Sequence, residues 1–378
     1  MRRIVIYDTT LRDGMQGTGI SYTLEDKLQI AHQLDEFNID YIEGGFPLST
    51  KKEADFFALI KQEELRHARV VAFGSTRRPG HKAGEDVHIR ALLEAETPAV
   101  TIVGKSWTEH VKQVLNTSLE ENLRMIFDSV ETLKKAGKEV FFDLEHFFEG
   151  YKSDPDYALS VLQAGNEAGA DALILCDTNG GALPSEVSRI IEALPKKELK
   201  PLGVHFHNDI GTAVANSLAA IEAGASQIQG TVNGWGERCG NANLCVLIPN
   251  ICLKLQREAN ACQNLKHITS LSRFVAEKAN MIPDKRQPYV GEAAFSHKAG
   301  QHADVISKAP HLMEHIPGHL VGNERKLILS ELAGKSTIMK KLAKYKGAAT
   351  KTVTDEEYER NRELAVKEIA RKFGVELN

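Results

Sequence analysis

With 378 residues and 42% apolar side chains, the chain can bury one large α/β core with a smaller appendage, or two cores of medium size. A formal net charge of −4 gives no electrostatic case for nucleic acid or an anionic membrane, which leaves small-molecule chemistry as the better fit. No apolar run approaches the roughly 20 residues of a membrane span. The opening Met1-Arg2-Arg3 leads into only a strand-length apolar run, so it reads as neither signal peptide nor anchor. Cys176, Cys239, Cys245, Cys252 and Cys262 are an odd number without CxxC spacing, and read as reduced thiols of a cytoplasmic protein.

From the N-terminus, short β-branched apolar runs alternate with amphipathic helical stretches, the pattern of parallel βα units. Eight runs predict strands: 4–7, 41–44, 70–73, 100–103, 140–144, 172–176, 203–207 and 227–231. Thr23 with Asp26 predicts the start of a helix at Leu24, Ser118 another at Leu119, and Pro155 opens a third; Gly137 and Gly169 close the last two. Eight repeats in about 255 residues is the size of a (β/α)8 TIM barrel. An open doubly wound sheet is the competing arrangement. The barrel is favoured because nearly every strand ends in a chemically capable group, and in a barrel those ends share one rim. The catalytic barrel is therefore placed at 1–265, a helical linker at 266–290, and a small, mainly helical C-terminal accessory lobe at 291–378, with no regulatory domain. An amphipathic helix is expected over 356–373.

The chemistry concentrates at His205-Phe206-His207-Asn208-Asp209. Side chains two apart on a strand share a face, so the two imidazoles converge, as a metal ligand pair or as ordinary strand polarity. Asp13, after the first strand, is either a turn residue before Gly14 or the missing anionic ligand, and Arg12 offers a planar fork for a carboxylate or an oxyanion. Asn241 follows the eighth strand, next to the first and seventh in a closed barrel, and is a candidate fourth ligand or a loop-holding amide. Glu145 shares a face with Asp143. An inward carboxylate needs a partner, so Glu145 either pairs with Lys105 or Arg12, or orients substrate and assists proton transfer. His302 is one of 14 histidines, in a polar loop. Two imidazoles and a carboxylate suit zinc, manganese or iron, with magnesium possible if water completes the shell.

The stretches Asp8-Thr9-Thr10-Leu11-Arg12-Asp13-Gly14 with Gln16, His205 to Asp209, and Gly236-Glu237-Arg238-Cys239-Gly240-Asn241 together resemble the isopropylmalate, homocitrate and citramalate synthase family of Claisen-condensing metalloenzymes. The likeness runs in order from about residue 4 to about 335. At Glu43 to Pro47, Phe73 to Arg78, Gly104 to Trp107, Glu145 to Lys152 and Cys176 to Gly181 it is most similar to the pyruvate-using branch. The resemblance implies a barrel holding a divalent metal (Zn, Mn or Mg) on Asp13, His205 and His207, with Asn241 nearby or ligating. It implies an acyltransferase that condenses acetyl-CoA, as co-substrate, with a short 2-oxo acid and then hydrolyses the thioester. Arg12 would stabilise the oxyanion, Thr178 would bind the substrate carboxylate, and His302 would take the methyl proton with Glu145 as orienter or alternative base. A homodimer and a role in amino-acid biosynthesis, that of isoleucine, are further implications. A retro-aldol or retro-Claisen lyase on the same barrel, and a metal-binding scaffold without turnover, are the competing readings. Met313 stands where family members usually carry a Tyr, and Phe46 and Leu48 replace residues common in the pyruvate-using branch. These departures bear on water activation and on the choice of 2-oxo acid.

Overall fold

The computed structural model describes residues 3–297, 305–306, 309–327, 360, 363, 364 and 367. It divides into two compact units, Met1–Asp284 and Lys285–Asn378. In the first, eight parallel strands close into a barrel: β1 (Val5–Asp8), β2 (Tyr41–Gly45), β3 (Arg69–Ser75), β4 (Ala99–Lys105), β5 (Glu139–Glu145), β6 (Ala172–Asp177), β7 (Leu202–Phe206) and β8 (Gln227–Gly230). Closure is made by β8 against β1, with Tyr7 in register with Gln229. An open sheet is thereby excluded.

All eight predicted strands are present: β2 to β6 run one to three residues longer than their apolar runs, β1 and β7 keep the predicted length shifted by one residue, and β8 is one residue shorter. Inward-facing Tyr7, Val71, Phe141, Ile174 and Cys176 fill the barrel, and the Tyr7 and Phe141 rings meet edge to face at 5.7 Å. The helix Leu24–Glu36 starts on the capping box of Thr23 and Asp26, and Leu119–Lys135 starts on Ser118, whose hydroxyl accepts from the Glu121 N–H. For the helix Pro155–Glu167 the capping side chain is Asp154, one residue before the proline. Gly137 and Gly169 follow these last two helices at φ +79° and +93°.

After β8 the chain passes under the barrel. Ile4 N–H donates to the Glu258 carbonyl at 2.7 Å, and Asn260 donates to Asp40 at 2.8 Å. Here the expectation of five reduced cysteines is corrected. The turn Asn250–Lys254 and the turn Asn260–His267 fold back on each other, which brings Cys252 and Cys262 together as a disulfide; Cys176, Cys239 and Cys245 are free. The boundary between the units falls inside the stretch expected to be linker. The helix Ile268–Lys278 of that stretch lies in the first unit and buries Leu271, Val275 and Ala276. No helix among the described residues is long and apolar enough to cross a membrane.

In the second unit, Ser296–His297 pairs in parallel with Lys326–Leu327. The Asn323 amide donates to the Tyr289 and Gly291 carbonyls, and Glu314 pairs with Arg325. Met313 follows a single turn at Pro310–Leu312. The helix expected over 356–373 lies outside the described residues apart from four positions.

Candidate active site

The C-terminal rim is built loop by loop. At the end of β1, Asp8 is fully buried and accepts from the Thr10 N–H (2.9 Å) and hydroxyl (2.7 Å), while the N–H groups of Arg12, Asp13 and Gly14 all donate to the Thr9 carbonyl. This tight turn lifts Arg12 and Asp13 over the barrel mouth. Burial, opposed by the two Thr10 bonds, pushes the Asp8 carboxyl up to about 7. Glu43, in the middle of β2, accepts from Arg12 Nε at 2.5 Å and from the Tyr7 hydroxyl at 2.7 Å. Phe73 of β3 lies under the guanidinium, with its ring centroid 3.9 Å from Cζ. Arg12 is thus held on one edge and one face.

His205 is the next-to-last residue of β7 and His207 the first beyond it, their ring centroids 5.2 Å apart. The loop after β8 folds back on β7: His207 forms an antiparallel bridge with Asn241, and Ala242 N–H donates to the Phe206 carbonyl at 3.0 Å. Arg238 ties three loops together, binding both Asp209 oxygens (2.8 and 3.0 Å) and the Thr178 carbonyl (2.8 Å) as well as its neighbour Glu237. These contacts bring Asp13, His205 and His207 together, with ligand-type atoms all within 4.8 Å of one another, and set Asn241 beside them.

Whether a cation fits here can be judged from the lone pairs. Both Asp13 carboxylate oxygens, His207 Nδ1 and Asn241 Oδ1 are buried without a hydrogen-bond partner. The Asn241 NH2 donates to the Trp235 carbonyl at 3.2 Å, which turns its oxygen the other way. His205 Nε2 comes within 3.1 Å of Asp13 Oδ2 without hydrogen-bond alignment. Buried acceptors left without donors cost free energy, and several of them crowding one point are satisfied together by a cation. The buried charges agree, since Asp13 and Glu43 face the single cation Arg12. Burial opposes ionisation of Asp13, but Arg12 and the two imidazoles outweigh it and hold the carboxyl well below the usual range. Burial, then the neighbouring His205, pushes His207 down to about 4, which leaves it neutral and able to ligate. Asp13, His205, His207 and Asn241 therefore fit a divalent cation.

Glu145 and Thr178, the other candidates from the sequence, also lie at strand ends of the barrel. Glu145 ends β5 and is paired with Lys105 of β4, one of the two partners anticipated for it. Thr178 follows β6, and its hydroxyl oxygen accepts from the His146 N–H at 2.9 Å. Trp107, His110 and His146 pack ring against ring beside Glu145, the two imidazoles 4.1 Å apart. Burial first, then His110, pushes His146 down to about 4. Sequence reasoning had passed over His146, His110 and Gln229; for Gln229 the available signal was polar-apolar alternation in Gln227-Ile228-Gln229. His302 lies outside the described residues.

A parallel eight-stranded barrel with an acid, two histidines and an amide gathered from the ends of β1 and β7 and the loop after β8 defines a TIM-barrel protein with a metal-type centre. Comparison with known proteins makes the class specific. The HMGL-like family model matches residues 3–275, and the model described as homocitrate synthase post-HMGL domain-like matches 289–369. The chain belongs to the HMGL-like family. It is 53% identical to an (R)-citramalate synthase of Aquifex aeolicus and 50% identical to one of Geobacter sulfurreducens, in each case over 91% of this chain and 65% of the relative. The chain thus spans about two thirds of the length of these relatives. Among solved structures, the HMG-CoA lyase of Bacillus subtilis superposes with a TM-score of 0.62 at 22% identity, covering 74% of this chain and 95% of the lyase, a likeness of fold alone.

Proposed function

We propose that this protein condenses acetyl-CoA with a short 2-oxo acid, pyruvate in the first instance, and hydrolyses the resulting thioester to give citramalate. The reading is carried by the unpartnered acceptors of Asp13, His207 and Asn241 beside the fixed Arg12, in a chain about half identical to (R)-citramalate synthases.

A divalent cation (zinc, manganese or magnesium) on Asp13, His205, His207 and Asn241 would supply Lewis-acid polarisation of the 2-oxo carbonyl. The remaining work falls to side chains. Arg12 gives its Nε to Glu43 and so keeps its terminal N–H groups for the oxyanion that develops at that carbonyl. Thr178 donates its hydroxyl hydrogen to the substrate carboxylate while its oxygen accepts from the His146 N–H. Glu145, held by Lys105, positions the acetyl thioester or takes its methyl proton, and His302 is the other proposed base. The aromatic wall of Phe73 and Phe46, edge to face at 6.3 Å, favours a small side chain on the 2-oxo acid. A homodimer, a cytoplasmic location and a role in isoleucine biosynthesis complete the proposal.

The test is thiol release from acetyl-CoA with pyruvate, 2-oxoisovalerate, 2-oxoglutarate and glyoxylate in parallel. Release that is fastest with pyruvate supports the reading. Release with 2-oxoisovalerate or 2-oxoglutarate alone assigns isopropylmalate or homocitrate synthesis instead, and no release with any of them refutes condensation.

A further inference from the structure

β8 carries a polar side chain that the proposed reaction does not use. Gln229 is fully buried, with its Oε1 2.9 Å from His205 Nδ1 and its Nε2 3.3 Å from Asp143 Oδ1. The three residues come from β8, β7 and β5, and His205 and Asp143 are themselves 5% and 3% exposed, so bulk water does not substitute for these bonds.

An amide has one accepting and one donating end, and the two are not interchangeable here. Asp143 offers carboxylate oxygen, which calls for the NH2 end. The amide oxygen is then left toward the imidazole, and because it only accepts, His205 Nδ1 must carry hydrogen. The lone pair available for ligation therefore belongs to Nε2, the nitrogen that faces Asp13 Oδ2 at 3.1 Å. With the amide reversed, its NH2 would donate to Nδ1 and the ring hydrogen would sit on Nε2, leaving that nitrogen no lone pair for a cation. The two orientations of one amide thus decide whether His205 is a ligand.

We propose that Gln229, itself oriented by Asp143, is a positioning residue that holds His205 in the Nδ1–H tautomer and so presents Nε2 to a divalent cation. The proposal rests on the metal-centre reading of Asp13, His205, His207 and Asn241. It gives Asp143 a role two removes from the cation, behind Gln229 and His205. Second-layer partners of metal-bound histidines change affinity by about 10–100-fold when removed, which sets the expected scale.

The experiment measures Zn2+ affinity of the full chain by chelator competition, with no turnover involved. The variants are Gln229→Leu, Asp143→Leu, Asp143→Asn and His205→Ala. Gln229→Leu is expected to weaken binding about 10–100-fold. Asp143→Leu should weaken it in the same direction, whereas Asp143→Asn, which keeps an oxygen for the amide NH2, should stay near the parent. A folded Gln229→Leu chain with parental affinity, or an Asp143→Asn chain as weak as Asp143→Leu, overturns the proposal. If Gln229→Leu does not fold, nitrogen NMR of the metal-free parent at alkaline pH decides. The resonances lost in His205→Ala should show a protonated Nδ1 and a bare Nε2, and the opposite tautomer overturns the assignment. Failure of the underlying metal reading is recognised separately, as unchanged Zn2+ binding in His205→Ala.

Discussion

Replacing Arg12 with lysine separates the proposed oxyanion role from metal binding and from stability. The parent guanidinium uses Nε on Glu43 at 2.5 Å, lies 3.9 Å above Phe73, and brings Nη1 within 3.5 Å of Asp13 Oδ2. A lysine ammonium is a single point of donors on a flexible stem. If it stays with Glu43, the oxyanion loses its donor; if it turns to the oxyanion, Glu43 is left buried without a cation. Loss of one preorganised donor costs about 2.7–4 kcal/mol, or about 100–1,000-fold in kcat. Because a charge remains next to Glu43, the stability loss should be confined to the largely desolvated stacking on Phe73, about 2 kcal/mol. The assay is steady-state thiol release together with elemental analysis and thermal melting of the same preparation. A variant within a few-fold of parental kcat would refute the oxyanion role, and one that loses metal along with activity would make Arg12 a structural support of the cluster.

Three further perturbations probe the scaffold. Lys27 is fully buried with its Nζ on both Glu53 oxygens at 2.8 and 2.7 Å, so Lys27→Met should cost about 3–5 kcal/mol in denaturant unfolding; the double variant with Glu53→Leu should recover most of it, and no recovery would show that the ion pair is not the cause. Gly180 has φ +64°, and a Cβ there would stand 2.7 Å from the Asp209 nitrogen and 3.0 Å from the His207 carbonyl carbon. Gly180→Ala should therefore displace His207 and weaken metal binding at a stability cost of about 1–3 kcal/mol, and parental affinity would contradict the tight packing of these two loops. Arg77, then the Gly80 N–H, lowers Glu121 from an ordinary 4.5 to about 2. A carboxyl depressed on folding contributes stability that is present above pH 4.5 and lost as pH falls toward 2. Thermal melts of parent and Glu121→Gln should converge over that interval, and a gap that widens on acidification would reverse the sign of the argument.

The barrel was legible because each inward and outward alternation is local. The runs at 140–144 and 172–176 signal buried strands without reference to anything distant, and Thr23 with Asp26 announces its helix within four residues. The metal-type cluster was legible for a related reason. His205 and His207 are two apart on one strand, and once eight strand ends share a rim, Asp13 and Asn241 have nowhere else to go. The supports of that cluster were not legible. Gln229 and Asp143 are 86 residues apart in sequence and meet only across the barrel interior; Phe73 lies under Arg12 through the curvature of the wall, not through any spacing. The Cys252–Cys262 link joins a π-helical turn to a 3-10 helix, whose periods match neither the α-helical nor the strand repeat.

The central claim is carbon–carbon bond formation between an acetyl thioester and pyruvate at this rim. It is tested most directly by incubating the metal-loaded protein with acetyl-CoA and uniformly 13C-labelled pyruvate and analysing the products by mass spectrometry. The account predicts citramalate carrying all three pyruvate carbons, formed one for one with free CoA and abolished in His205→Ala. Release of CoA without labelled citramalate, or labelled citramalate at the parental rate from His205→Ala, would contradict it.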